Sequence, residues 1–240
     1  MINPRPVQVI AVSSAKGGVG KSNVCINLAI AMAERGHRVV VFDAGMGLGN
    51  VDILLGLTVR QTLSDVLAGR CRLEDILIPG PSGIRIAPAP CGDPAMTRLG
   101  PAAYAGVIHA FSHLADQTDV LLIDTSSGMS DSLLAFLQAA QEILLVVSDE
   151  PAAIAGSCAL MRLMNSEYGA NRFRVLASQV RNGHEGQLLF DKLARVTARL
   201  TDIGIRYAGA IPYDDAVRKA VQRQKAVLEV YPGSRASVAL

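Results

Sequence analysis

Three observations predict an α/β protein with a doubly wound, mostly parallel sheet and helices on both faces. Apolar runs of strand length alternate with helical patterns along the whole chain. Several of these runs are apolar throughout rather than at every second residue. A Gly- and Lys-rich turn joins the first run to the first helix. Continuous apolar runs suit parallel strands, because both of their faces are covered. Strands that alternate with helices imply right-handed crossovers between neighbours in one sheet. At 240 residues the chain fits one domain, 1–240.

The elements follow in order. Val7–Val12 reads as the first strand, and Lys21–Glu34 as the helix after the Gly-rich turn. Gly36 stands where a left-handed residue would cap that helix. Arg38–Phe42 is the second strand, and Thr62–Ala68 a helix. From Pro79 to Pro101 the chain is rich in Pro and Gly and reads as a loop with one short strand, Ile84–Ala87. Ala102–Ala115 is a helix before the strand Val120–Asp124, and Ser130–Ala140 a helix before the strand Ile143–Ser148. Then come the helix Ala152–Tyr168, the strand Arg174–Val180, the helix Gly186–Arg199, the strand Tyr207–Ile211 and the helix Asp214–Gln224. Ligands of such sheets gather beyond the carboxyl ends of the strands. The Gly-rich turn lies there, and so does the chain after Phe42 and after Ile123.

Composition narrows the classes. Half of the residues are apolar, none is Trp, and the net charge is +2. That charge is too small to argue for nucleic acid or an anionic membrane, so no direct contact with DNA is expected. The four cysteines, Cys25, Cys71, Cys91 and Cys158, are scattered and form no C-x-x-C pair, which reads as a reduced cytosolic protein. The start, Ile2 to Pro6, has no signal-peptide pattern. No apolar stretch reaches the roughly 20 residues that span a bilayer.

The chemistry is concentrated in Lys16-Gly17-Gly18-Val19-Gly20-Lys21-Ser22. A Gly-rich turn between strand and helix exposes consecutive backbone N–H groups at the positive end of the helix, a cradle for phosphate. Lys21 can reach β- and γ-phosphates, and the Ser22 hydroxyl can ligate Mg²⁺. Asn23 follows on the same helical turn. Ala15 occupies the first Gly of the general G-x-x-x-x-G-K-[ST] pattern, whereas the variant K-G-G-x-G-K-[ST] is met at every position. The competing reading, a Gly/Lys-rich surface turn, does not explain the strand before it and the helix after it.

Two carboxylates end apolar strands. Asp124 closes Val120-Leu121-Leu122-Ile123 and can hold Mg²⁺ opposite the loop hydroxyl. Gly128, four residues on, could offer its N–H to a γ-phosphate. Asp43 closes Val39-Val40-Val41-Phe42 and could face the same ion. The plain alternatives are a helix-capping Asp at 124 and a turn Asp before Gly45.

With these residues in place, the chain resembles the MinD/ParA class of deviant P-loop ATPases. Lys16 to Ser22 matches the class loop, and Asp43 and Asp124 to Gly128 match its two switch regions. Within the class it is most similar to the flagellar-number regulators of the FleN/FlhG type. The supporting stretches are Gly47 to Leu57, Gly69-Arg70-Cys71, Ala140 to Pro151 and Ile211 to Val221. The resemblance implies a homodimer that forms with ATP and Mg²⁺ between two facing protomers, with Lys16 reaching the partner's phosphates. It places Ser178, Pro212, Tyr213 and Asp214 near the adenine. It further implies restraint of an enhancer-binding transcription activator for flagellar genes. The location it implies is cytoplasmic, at a pole or peripheral at the membrane.

Three departures matter. Relatives end the second strand Asp-x-Asp, whereas this chain reads Asp43-Ala44-Gly45. The second acid, which orients the attacking water in relatives, is missing, so slow or absent hydrolysis is expected. Ser178 stands where relatives tend to have Asn, so base selectivity is expected to be looser or to rest on backbone groups near Pro212 and Tyr213. The chain after Val230 carries Pro232-Gly233, which breaks a helix, and membrane contact is expected to be weak or absent.

Other groupings point to less. His109 and His113 stand four apart on a helix, a spacing that can bind metal, but no acidic residue or Cys falls in register. Arg218, Lys219, Arg223 and Lys225 read as a solvated basic face. Two other functions compete: a positioning ATPase for division or DNA segregation, and a nucleotide-binding scaffold that does not hydrolyse.

Overall fold

A computed structural model describes residues 6–46, 49–90, 99–198 and 203–240. Its strands are β1 (Gln8–Ser14), β2 (Val39–Ala44), β3 (Ile78–Pro79), β4 (Arg85–Ala87), β5 (Val120–Ser127), β6 (Glu142–Val147), β7 (Arg172–Val180) and β8 (Gly204–Pro212). They form one sheet in the order β3-β4-β2-β5-β1-β6-β7-β8. Every pairing is parallel except β3 with β4. The predicted fold class is therefore the observed one. The order places β1 between β5 and β6, so the turn after β1 opens at the centre of the sheet.

The α-helices are α1 (Lys21–Glu34), α2 (Val51–Leu55), α3 (Leu63–Leu67), α4 (Pro101–Ser112), α5 (Asp131–Ala139), α6 (Pro151–Tyr168), α7 (Gly183–Thr197), α8 (Asp215–Gln222), α9 (Val227–Val230) and α10 (Arg235–Ala239). They leave one apolar layer on each side of the sheet. Val40 and Phe42 face one layer, where Phe42 packs on Phe111 and Phe136 at ring distances of 4.8 and 5.3 Å. Val39 and Val41 face the other, with Cys25, Ile26 and Ile30 of α1. Both sides of β2 are thus covered, which is what its unbroken apolar run requires.

Local chemistry sets the boundaries. Gly36 has φ 89° and ends α1 as expected. Asn182 accepts from the Glu185 N–H at 3.0 Å, so α7 begins three residues before the expected Gly186; the expected end at Arg199, like Cys91, lies outside the described residues. Four short pieces had no sequence signal: α2, the antiparallel β3, α9, and α10, which resumes after Pro232-Gly233 with Ser234 as its cap. Five residues are too few to display a helical period. No helix among the described residues is long and apolar enough to cross a membrane.

Candidate functional site

The parallel register gathers the charged residues. Asp43 pairs with Asp124 across β2 and β5, and Val12 pairs with Asp124 across β1 and β5. Both carboxylates therefore stand beside the turn that follows β1. In that turn Gly18 and Gly20 have φ 82° and 90°, values that favour glycine, and Gly20 caps α1. A side chain at Gly18 would meet nothing within 4 Å, so the backbone there is open to a ligand.

The turn is held from behind. Ser178 Oγ donates to the Val19 carbonyl at 2.7 Å, and Gln179 Nε2 to the Gly18 carbonyl at 2.8 Å. Gln179 reaches it from a left-handed backbone, φ 60°. Ser14 Oγ donates to the Lys16 carbonyl at 3.0 Å. Helix α6 also presses on the turn: a Cβ at Gly156 would lie 2.8 Å from the Ala15 Cβ.

The charges are paired among themselves. Lys21 Nζ donates to Asp124 Oδ1 at 2.6 Å, and the Asp124 side chain is only 2% exposed. Lys16 forms an ion pair with Glu150, in the turn between β6 and α6, and Ser148 Oγ also donates to Glu150. These two donors hold the Glu150 carboxyl below its ordinary value, Lys16 most. Asp43 is buried and its oxygens accept three backbone N–H groups, from Gly45 at 2.9 Å, Asn50 at 2.9 Å and Val51 at 3.0 Å. Burial first, and the charge of Asp124 second, push its pKa up to about 6 despite those donors. Gly45 lies inside this turn, where a Cβ would approach Asp43 Oδ1 to 3.0 Å and Gly49 Cα to 3.1 Å.

Two adjoining cavities result. Gly17, Lys21, Ser22, Asp43 and Asp124 line one of about 510 Å³. Ser178, Pro212, Tyr213 and Asp214 line the other, of about 340 Å³, and Gly18, Gly20 and Asn23 face both. Lys16 and Gly128 face neither. Lys16 sits with Glu150 at the rim, and the Gly128 N–H donates to the Ser14 carbonyl at 3.2 Å, with Gly128 at φ 97°. Val19 is buried in the core below the turn and only its carbonyl takes part. Sequence reasoning missed Glu150, Gln179 and Gly156. Each lies far along the chain from the residue it touches, and no local pattern marks it.

The larger cavity fits a triphosphate with a hard cation. It offers open backbone at left-handed glycines, a largely buried lysine, a hydroxyl and two carboxylates, and all-oxygen donors suit Mg²⁺. The rings of His109 and His113 lie 5.3 Å apart, but no group of three His, Cys, Asp or Glu residues suited to a metal occurs among the described residues.

The family model for the CobQ/CobB/MinD/ParA nucleotide binding domain matches residues 10–227. The chain belongs to that family. It is 54% identical over 234 residues to the antiactivator FleN of Pseudomonas aeruginosa, covering 98% of this chain and 84% of that protein. The flagellum site-determining protein YlxH of Helicobacter pylori is 27% identical over 231 residues, covering 96% and 78%. Among solved structures, the septum site-determining protein MinD from Pyrococcus horikoshii, complexed with Mg-ADP, superposes with a TM-score of 0.78 at 23% identity, covering 97% of this chain and 92% of that one. At that identity the likeness establishes the fold. The family domain takes in the Gly-rich turn, both carboxylates and the loop at Pro212.

Proposed function

We propose that this chain is a nucleotide-switched antiactivator that limits flagellar number. In this reading it binds ATP with Mg²⁺, pairs face to face with a second copy, and in that form restrains an enhancer-binding transcription activator. The observation that carries it is the 54% identity to FleN across nearly the whole chain, joined to a cleft lined by Gly17, Gly18, Gly20, Lys21, Ser22, Asp43 and Asp124. The protein works in the cytoplasm, at the pole or peripherally at the membrane.

Each residue then has a task. Gly17 to Gly20 cradle the phosphates with main-chain N–H groups, and Lys21 supplies a largely buried positive charge. Ser22 and Asp124 hold the cation, with Asp43 beside them. The cation, when bound, neutralises developing charge on the phosphates. Lys16 leaves Glu150 to reach the partner's nucleotide, and Gly128 exchanges the Ser14 carbonyl for the terminal phosphate. Exposed apolar residues, Ile53 at 59% and Met129 at 49%, supply surface for a second copy.

Hydrolysis is slow or absent because Gly45 brings no carboxylate to the water. The test is phosphate release, together with light scattering with and without Mg-ATP, on the wild type, Gly45→Asp and Gly45→Ala. Dimers that form only with Mg-ATP are expected. Gly45→Asp should raise turnover by on the order of 10²-fold, and Gly45→Ala, which brings the same Cβ into the tight turn, should not. Equal, brisk turnover in wild type and Gly45→Asp overturns the hydrolysis claim, and a monomer indifferent to ATP overturns the switch. A static nucleotide-bound scaffold is the second reading, and Gly45 is the residue that favours it.

A further inference from the structure

We propose that α10 is the back wall of the base-binding half of the cleft, with Arg235 as a positioning residue that sets the loop Pro212-Tyr213-Asp214 for a nucleobase. This rests on the reading that the cleft binds a nucleotide.

That loop is fixed from four directions. The Tyr213 N–H donates to the Val180 carbonyl at 2.7 Å, at the end of β7. Arg235 Nη2 donates to the Tyr213 carbonyl at 2.9 Å. Asp214 Oδ1 accepts from the Ala216 N–H at 2.9 Å, and Oδ2 from the Ala236 N–H at 3.1 Å. Two of the four restraints come from α10. Ala236 is fully buried and lines the cavity, and so does Leu240.

The same C-terminal segment is tied to the helix that follows the phosphate cradle. Asn27 of α1 accepts from the Leu228 N–H at 3.1 Å and donates from its own amide to the Asn23 carbonyl at 2.8 Å. The base loop and the cradle are thus referred to one frame, so a base and a triphosphate can be met together without either loop moving. Ser178 Oγ commits its one proton to the Val19 carbonyl, so it can meet a base only as an acceptor. The loop at 212–214 reads the base, and Arg235 holds its central carbonyl. A guanidinium bond to a carbonyl is charge-assisted and stronger than a neutral one.

The test measures binding of two probes to the full chain by calorimetry: Mg-ATP, which fills both halves of the cleft, and Mg-tripolyphosphate, which fills only the cradle. Arg235→Ala should weaken Mg-ATP on the order of tenfold and leave Mg-tripolyphosphate unchanged. Arg235→Lys, which keeps one charged donor for the single bond made here, should recover most of the loss. Equal weakening of both probes means general damage to the fold and overturns the proposal, as does an unchanged affinity for Mg-ATP. A wild type that binds tripolyphosphate but not ATP overturns the nucleotide reading itself.

Discussion

The two halves of the cleft are built from opposite materials. The phosphate half is rich in charge: Lys21 on Asp124, Lys16 on Glu150, and the buried Asp43 under three backbone N–H groups. The base half is held by backbone groups, the Asp214 carboxylate that accepts two of their N–H groups, and one guanidinium, around a cavity lined by Val24, Ile211 and Val227. The contrast teaches how each half can fail. Removing Lys21 leaves Asp124 buried and unpaired, whereas a bond removed from the base half leaves a loop free to tilt.

Lys21→Met is the strongest way to break this contrast. It strands Asp124 in a buried setting, and a broken buried pair costs about 3 kcal/mol or more. Urea unfolding should show that loss, and the double variant Lys21→Met with Asp124→Asn should recover most of it. If the single variant is as stable as the wild type, the phosphate half is not held by that pair. Ser178→Ala tests the seam between the halves, because it removes the only side chain found bonding the Val19 carbonyl among the described residues. A loss of about 1 kcal/mol is expected, and a neutral result would show that the cradle keeps its shape unaided.

The smallest effect lies at the far end of the sheet and serves as the control. Arg38 donates to both carboxylate oxygens of Asp119, at 2.8 and 3.1 Å, and with the Arg38 N–H it depresses that carboxyl to about 2. The folded value lies below the ordinary 3.8, so this contribution is present above about pH 4 and is lost as pH falls through 2. Melting temperatures of wild type and Asp119→Asn should therefore differ slightly at neutral pH and converge near pH 2. ATP affinity should be the same in both, since this pair touches neither half of the cleft.

The same contrast explains what could be read from the chain. The phosphate half was legible because Lys16 to Ser22 is contiguous and each position answers a local need: a left-handed glycine, an ammonium group, a hydroxyl. The parallel strands then brought Asp43 beside Asp124. In the base half, Pro212 to Asp214 came from resemblance, and their support did not come at all. Arg235 and Ala236 belong to a five-residue helix with no periodic signal, past a Pro-Gly pair that reads as the end of order. Glu150 was missed for another reason: its role depends on Lys16, 134 residues away, and no pattern of either segment names the other.

The contact between Ala15 and Gly156 bears on how such chains diverge. With a methyl group at 15, helix α6 has room only for hydrogen at 156. The size of the residue at one position therefore limits the size of the residue at the other. The Ala15 that stands at the first glycine of the general phosphate-loop pattern thus has its room made by a glycine on a helix from a different part of the sequence.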